Sequence, residues 1–139
     1  MDETSELTRR ILEEFGTITV VGLSSDPTKA AHSVPAAMQA YGWRIIPVNP
    51  HAEQLLDEVV YRRLADIPEP VDVVNVFRPS AEAADVAWQA AEVGAKALWL
   101  QLGISSDDAR RIAADAGMLY VEDRCLAVER ARHAVHRAA

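Results

Sequence analysis

Apolar residues recur in two rhythms along this chain. Over residues 5–15 they fall on one helical face, Ile11, Leu12 and Phe15, and Gly16 ends the pattern. Residues 17–22 (TITVVG) are a short β-branched run, as expected of a buried strand. The helical rhythm returns with Val34, Met38 and Tyr41 and stops at Gly42; Ser33 is the expected N-cap, with Pro35 in the first turn. Residues 43–48 (WRIIPV) read as a second strand, although Pro47 lies near its end. The segment 51–70 shows neither period and reads as short helical turns and loop, closed by two prolines. A third strand follows at 72–77, then a helix opened by Pro79 or Ser80 and stopped by Gly94. Strand four is 96–100. Ser105 or Ser106 caps the next helix, where Asp107 and Asp108 suit the first-turn dipole. Strand five is 118–122, and the pattern predicts a closing helix over 124–139, with Cys125 at its start.

Strands alternating with helices predict an α/β fold, a doubly wound parallel sheet of about five strands covered on both faces. Right-handed crossovers leave few arrangements, and the expected strand order is 3-2-1-4-5. Residues 1–139 read as one domain, without repeats or low-complexity stretches.

Charge and composition narrow the classes. The net charge of −7 argues against general nucleic-acid binding, yet leaves room for a local basic pocket that takes an anion. No apolar run approaches the roughly 20 residues of a membrane span, and the acidic, amphipathic start is unlike a signal peptide. A single cysteine allows no internal disulfide, so a cytoplasmic location is expected.

In an open parallel sheet, ligands sit beyond the carboxyl ends of the strands. There the chain places Gly22 followed by Ser24, Ser25 and Lys29, then Asn49-Pro50, Phe77-Arg78-Pro79, and Gln101 with Gly103. A glycine at a strand tip lets a backbone approach closely, and the following loop offers amides and two hydroxyls. The helix start near Ser33 adds its positive dipole end, Lys29 and Arg78 formal charge. The set points to a phosphate-bearing ligand. It does not fit NAD, because the second and third glycines of G-x-G-x-x-G are missing and strand two ends in Asn49-Pro50 rather than an acidic residue. The Walker pattern is absent too. Lys29 could equally be solvated, Arg78 paired with a carboxylate, Asn49 a turn former and Gln101 a partner for loop backbone.

The stretches VGLSSDPTKAAHSVPAAMQAYGWRIIPVNP, YRRLADIPEPVDVVNVFRPS, ALWLQLGI and AGMLYVEDRC, in that order, span roughly residues 15–130. Together the chain resembles the small stand-alone coenzyme A-binding proteins of bacteria, which are similar to the CoA-binding domain of the succinyl-CoA synthetase α subunit and of ADP-forming acyl-CoA synthetases. The resemblance implies a Rossmann-like fold that holds CoA over the strand tips. It implies that Gly22, Ser24, Ser25 and Lys29 meet the CoA phosphates beside Ser33, and that Asn49 and Pro50 line the adenosine side. Phe77, Arg78 and Pro79 then border the cleft, with Gln101 and Gly103 on its other flank.

No pair of carboxylates and no Ser/His/Asp or Cys/His set gathers at the strand tips, so the expectation is a non-catalytic binder or sensor of CoA or acyl-CoA. The alternatives are an NAD(P)-dependent oxidoreductase and an accessory subunit that completes an acyl-CoA synthetase with a separate chain. A homodimer or a protein partner fits a domain this small. His51, His133 and His136 read as surface residues, and no metal site is expected. Trp43, Trp88 and Trp99 read as packing in the core or at an interface.

Overall fold

A computed structural model describes residues 2–137. The five strands β1 (Thr17–Val21), β2 (Arg44–Val48), β5 (Val73–Val76), β6 (Ala97–Leu100) and β7 (Leu119–Val121) form an all-parallel sheet. Between β2 and β5 lie two short strands, β3 (Gln54–Leu55) and β4 (Glu58–Val59), paired as an antiparallel hairpin. The helices are α1 (Glu3–Glu14), α2 (Ala30–Ala40), α3 (Ser80–Glu92), α4 (Asp107–Asp115) and α5 (Leu126–His133). Central strands β5 and β6 are buried along their whole length, as VVNV and ALWL must be with helices on both faces. Ile11, Leu12, Met38, Trp43, Trp99 and Leu126 pack one face of the sheet; Val74, Val76, Ala83, Leu98, Leu100 and Ile112 pack the other. The expected α/β, Rossmann-like class is therefore the observed one.

The strand order differs from the expected 3-2-1-4-5. The sheet reads β2-β1-β5-β6-β7, which is 2-1-3-4-5 when the five long strands alone are counted. Pro47 supplies the reason. In a parallel strand a residue's N–H and C=O point the same way, and the Pro47 carbonyl faces the outer edge, where it accepts Tyr61 N–H at 3.0 Å. The missing N–H of Pro47 lies on that edge as well. An interior β2 would leave a gap in a ladder there, so β2 is the edge strand and β5 pairs β1 instead. The single bridge from Val48 to Tyr61 partly covers the exposed edge.

Three local expectations are corrected. The 51–70 segment contains the β3–β4 hairpin, whose two turn residues, Leu56 and Asp57, both have positive φ (53° and 61°) without a glycine to announce it. Helix α2 begins at Ala30 rather than after Ser33, so Pro35 falls in its second turn. Helix α5 ends at His133, where Ala134 adopts a left-handed conformation (φ 52°). The chain then turns back, and Arg137 donates to the carbonyls of Leu12 and Glu13 on α1. Residues 138–139 of the predicted closing helix lie outside the described residues. Elsewhere the caps are as expected: the Ser106 side chain accepts Ala109 N–H at 3.0 Å, and Pro79 precedes α3. Asp2 caps α1 by accepting Ser5 N–H.

Candidate functional site

The sheet reverses its direction of winding between β1 and β5, and the switch point of such a fold is the place where strand tips part to leave a crevice. Gly22 stands at the tip of β1 with φ +93°, and a Cβ there would lie 3.0 Å from Arg78 Cδ and 3.3 Å from the Phe77 carbonyl. Glycine is what lets the β1–α2 turn run against the tip of β5. The Gly22 amide is taken by Val48 C=O at 3.0 Å, which ties the turn to β2 as well.

Beyond Gly22 the loop is held by its own side chains. Ser24 Oγ accepts Asp26 N–H at 3.0 Å, and Asp26 Oδ1 accepts the amide and hydroxyl of Thr28 at 2.9 and 2.6 Å. Those bonds from Thr28, hydroxyl first and amide second, hold the Asp26 carboxyl below its usual 3.8. The Ser24 backbone is clamped at both ends. Its N–H donates to Ala31 C=O at 3.1 Å, and its C=O accepts from His32 Nδ1 at 2.7 Å. Ala31 C=O is available because its helical partner four residues on is Pro35, which has no N–H. Pro35 thus explains the anchoring of the loop onto α2. Lys29 occupies the N-cap position and no side chain caps the helix. The amides of Gly22, Ser24, Asp26, Thr28, Lys29, His32 and Ser33 are used internally; among the described residues Leu23, Ser25, Ala30 and Ala31 keep theirs unpaired.

Next to this turn opens a cleft of about 250 Å³, walled by Val21, Gly22, Val48 and Asn49 on one side and the start of α3 on the other. Three arginines, Arg62, Arg63 and Arg78, and two carboxylates, Glu82 and Asp85, line it. Arg78 is held by both Glu82 oxygens at 3.0 Å, an exposed pair one helical turn apart. Arg62 reaches the carbonyls of Asn49 (2.9 Å), His51 (3.3 Å) and Ala52. Asn49 completes that corner: its Nδ2 donates to Leu23 C=O at 2.8 Å, and its Oδ1 accepts the amides of His51 and Ala52, each at 2.8 Å.

A sequence-family model described as a CoA binding domain matches residues 16–131. The chain belongs to the CoA binding domain family. It is 37% identical to the uncharacterised protein YneT of Bacillus subtilis (strain 168) over 123 residues, 88% of this chain and 91% of YneT. A Thermus thermophilus protein, cell-free ID.343, superposes with TM-score 0.88 at 36% identity, over 96% of this chain and 99% of that one. The dinucleotide-forming acetyl-coenzyme A synthetase 1 of Ca. Korarchaeum cryptofilum, in its apo form, superposes with TM-score 0.67 at 26% identity. That match covers 78% of this chain and 26% of the synthetase.

Against this CoA binding fold, the residues singled out in the sequence separate into groups. Gly22, Asn49, Pro50 and Arg78 line the cleft together. Ser24, Ser25, Lys29 and Ser33 follow Gly22 on the same turn and the first turn of α2, outside the cleft wall; Ser33 is in the helix rather than its cap. Phe77 and Pro79 flank Arg78, with the Phe77 amide bound to Val21 C=O at 2.9 Å. Gln101 and Gly103 stand further off, because β5, not β6, neighbours β1. Gln101 is buried and its Oε1 accepts Leu126 N–H at 3.4 Å, while Gly103 N–H donates to Asp123 at 2.7 Å. Both are occupied by the fold. Arg62 and Arg63 went unnoticed in the sequence, where "YRR" sat in a segment read as loop. The signal available was an arginine pair just after a β-branched doublet.

One further reading changes. His133 is buried rather than on the surface: its side chain is 2% exposed, and its Nε2 lies 3.0 Å from Thr8 Oγ1, which is itself 2.9 Å from Glu129 Oε1. Trp88 is 60% exposed, unlike Trp43 and Trp99. Among the described residues no group of His, Cys, Asp and Glu is arranged to hold a metal ion, and no helix is long and apolar enough to cross a membrane.

Proposed function

We propose that the protein binds coenzyme A or an acyl-CoA across the tips of β1, β2 and β5, and acts as a binder without chemistry of its own. The observation that carries this reading is the β1–α2 turn. A glycine at φ +93° brings it against Arg78, its serine backbone is clamped to α2, and three amides at or near the surface, those of Ser25, Ala30 and Ala31, are left without partners. Amides at a helix start suit an anion, and a pyrophosphate is the anion that fits a pair of such amides beside Ser25, Lys29 and Ser33. The cleft of about 250 Å³ is smaller than the roughly 300–1,000 Å³ of a pocket that encloses its ligand. An extended nucleotide therefore lies over the rim with one charged group inside, and Asn49 and Pro50 border its adenosine. The Korarchaeum synthetase, of which this fold matches about a quarter, favours a second reading: a subunit that lends its CoA site to a separate chain.

Isothermal titration separates the readings. CoA and acetyl-CoA bind in the micromolar range, and NAD and ATP do not. Micromolar NAD binding without CoA binding would overturn the proposal. A pull-down that recovers a synthetase chain would favour the second reading.

A further inference from the structure

The cleft holds one guanidinium that the fold does not use. Arg62 is occupied by three carbonyls and Arg78 by Glu82, whereas the Arg63 guanidinium makes no hydrogen bond or ion pair among the described residues, and Arg63 lines the same cleft. In doubly wound folds the tip of the second strand lies at the ribose of a bound nucleotide. An acidic residue there pairs with free ribose hydroxyls, and an arginine there accommodates a ribose phosphate. This chain has no acid at that tip. It has Asn49-Pro50, with Arg62 donating to the Asn49 carbonyl and Arg63 next to it. The residue pattern is that of a site for a ribose carrying a phosphate monoester.

We propose that Arg63 is the specificity-determining residue for a phosphate monoester on the ribose of an adenine nucleotide, and that Arg78 exchanges Glu82 for the same phosphate. The inference rests on the cleft being the CoA site and names the part of the ligand that the cleft takes. The Arg78–Glu82 pair is exposed, so its two charges are already solvated and little is lost in breaking it. A doubly charged phosphate offers Arg78 the same forked geometry that Glu82 offers now. Glu82 is then a resident stand-in for the ligand, and it keeps Arg78 oriented while the cleft is empty.

Coenzyme A carries such a phosphate at the 3′ position and NADP at the 2′ position; 3′-dephospho-CoA and NAD lack it. Calorimetric titration of these four ligands into the wild type, Arg63→Ala and Glu82→Gln is the test. The wild type is expected to bind CoA about tenfold or more tightly than 3′-dephospho-CoA, the worth of one charge-assisted contact. In Arg63→Ala that ratio falls about threefold or more, Arg78 holding the remainder, with the affinity for 3′-dephospho-CoA unchanged, since a single exposed contact is removed. Glu82→Gln raises the affinity for CoA and leaves 3′-dephospho-CoA where it was. Equal wild-type affinities for CoA and 3′-dephospho-CoA, or an Arg63→Ala loss shared by both, would overturn the assignment while leaving the CoA reading intact. Weaker CoA binding by Glu82→Gln would overturn the exchange at Arg78. A preference for NADP over NAD that Arg63→Ala lowers, with no binding of either CoA form, would keep the role of Arg63 and overturn the proposed function.

Discussion

Gly22 is the residue on which the site turns. Its φ of +93° lies outside what a side chain tolerates, and a methyl group would press on Arg78 Cδ and the Phe77 carbonyl. Gly22→Ala is therefore expected to cost about 1–3 kcal/mol in urea denaturation and to abolish CoA binding, because either the turn or Arg78 must move. A variant of full stability and affinity would show that the close approach is dispensable. Asp26 sets a pH limit on the same loop. Its carboxyl is held below 3.8 by Thr28, so the ionised form ties the turn at every pH above that value. The tie is lost as pH falls through the lowered folded-state value. The Thr28 amide resonance should move with acid below pH 4, and it should be insensitive to acid in Asp26→Asn. Gly22, Arg78 and Asn49 were visible in the sequence because strand tips are where polar residues interrupt apolar runs. Asn49 as a turn former and Gln101 as a partner for backbone were open alternatives in the sequence and are what the structure has; their partners Leu23 and Leu126, 26 and 25 residues away, do not show in local pattern.

At the level of elements, α2 and the loop before it form one device. Pro35 takes a hydrogen bond out of α2, and the carbonyl it frees holds Ser24. Pro35→Ala restores an N–H that competes for Ala31 C=O. The helix gains stability, and exchange of the Ser24 amide with solvent rises about fivefold, the worth of one hydrogen bond. Unchanged exchange at Ser24 would mean that the His32 contact alone clamps the loop. Ser33 was the natural N-cap on residue preference, and it lost to an Asx turn at Asp26 and to the anchoring of Ser24, which together start the helix at Ala30. The β3–β4 hairpin escaped notice for a related reason. Leu56 and Asp57 adopt positive φ without glycine, held in part by Gln39, whose Nε2 donates to Leu56 C=O at 2.9 Å. Helices α3 and α4, with a clear start and stop, and β5 and β6, as mostly apolar runs, were legible; short elements fixed by tertiary bonds were not.

Across the whole molecule, the class of fold was readable from alternation, and its strand order hung on Pro47. Read as an edge-strand residue, that proline moves β2 to the rim and brings β5 beside β1, which places Arg78 rather than Gln101 against Gly22. Helices α1 and α5 clasp one another on the sheet face opposite α3. Thr8 on α1 joins Glu129 and His133 on α5, Arg132 pairs with Glu129 at 3.3 Å, and Arg137 reaches back to α1. Thr8→Val leaves the buried Glu129 and His133 short of a partner. It is expected to lower stability by about 1–3 kcal/mol in urea denaturation without changing affinity for CoA; a loss of affinity would mean that the clasp and the cleft are coupled. The central claim is that a CoA pyrophosphate meets the unpaired amides of the β1–α2 turn. An amide chemical-shift titration with CoA tests it most directly. The largest shifts should fall on Ser25, Ala30 and Ala31, with Arg63 and Arg78 side-chain signals moving alongside; shifts gathered instead around Trp88 between α3 and α4, or none at millimolar CoA, would contradict it.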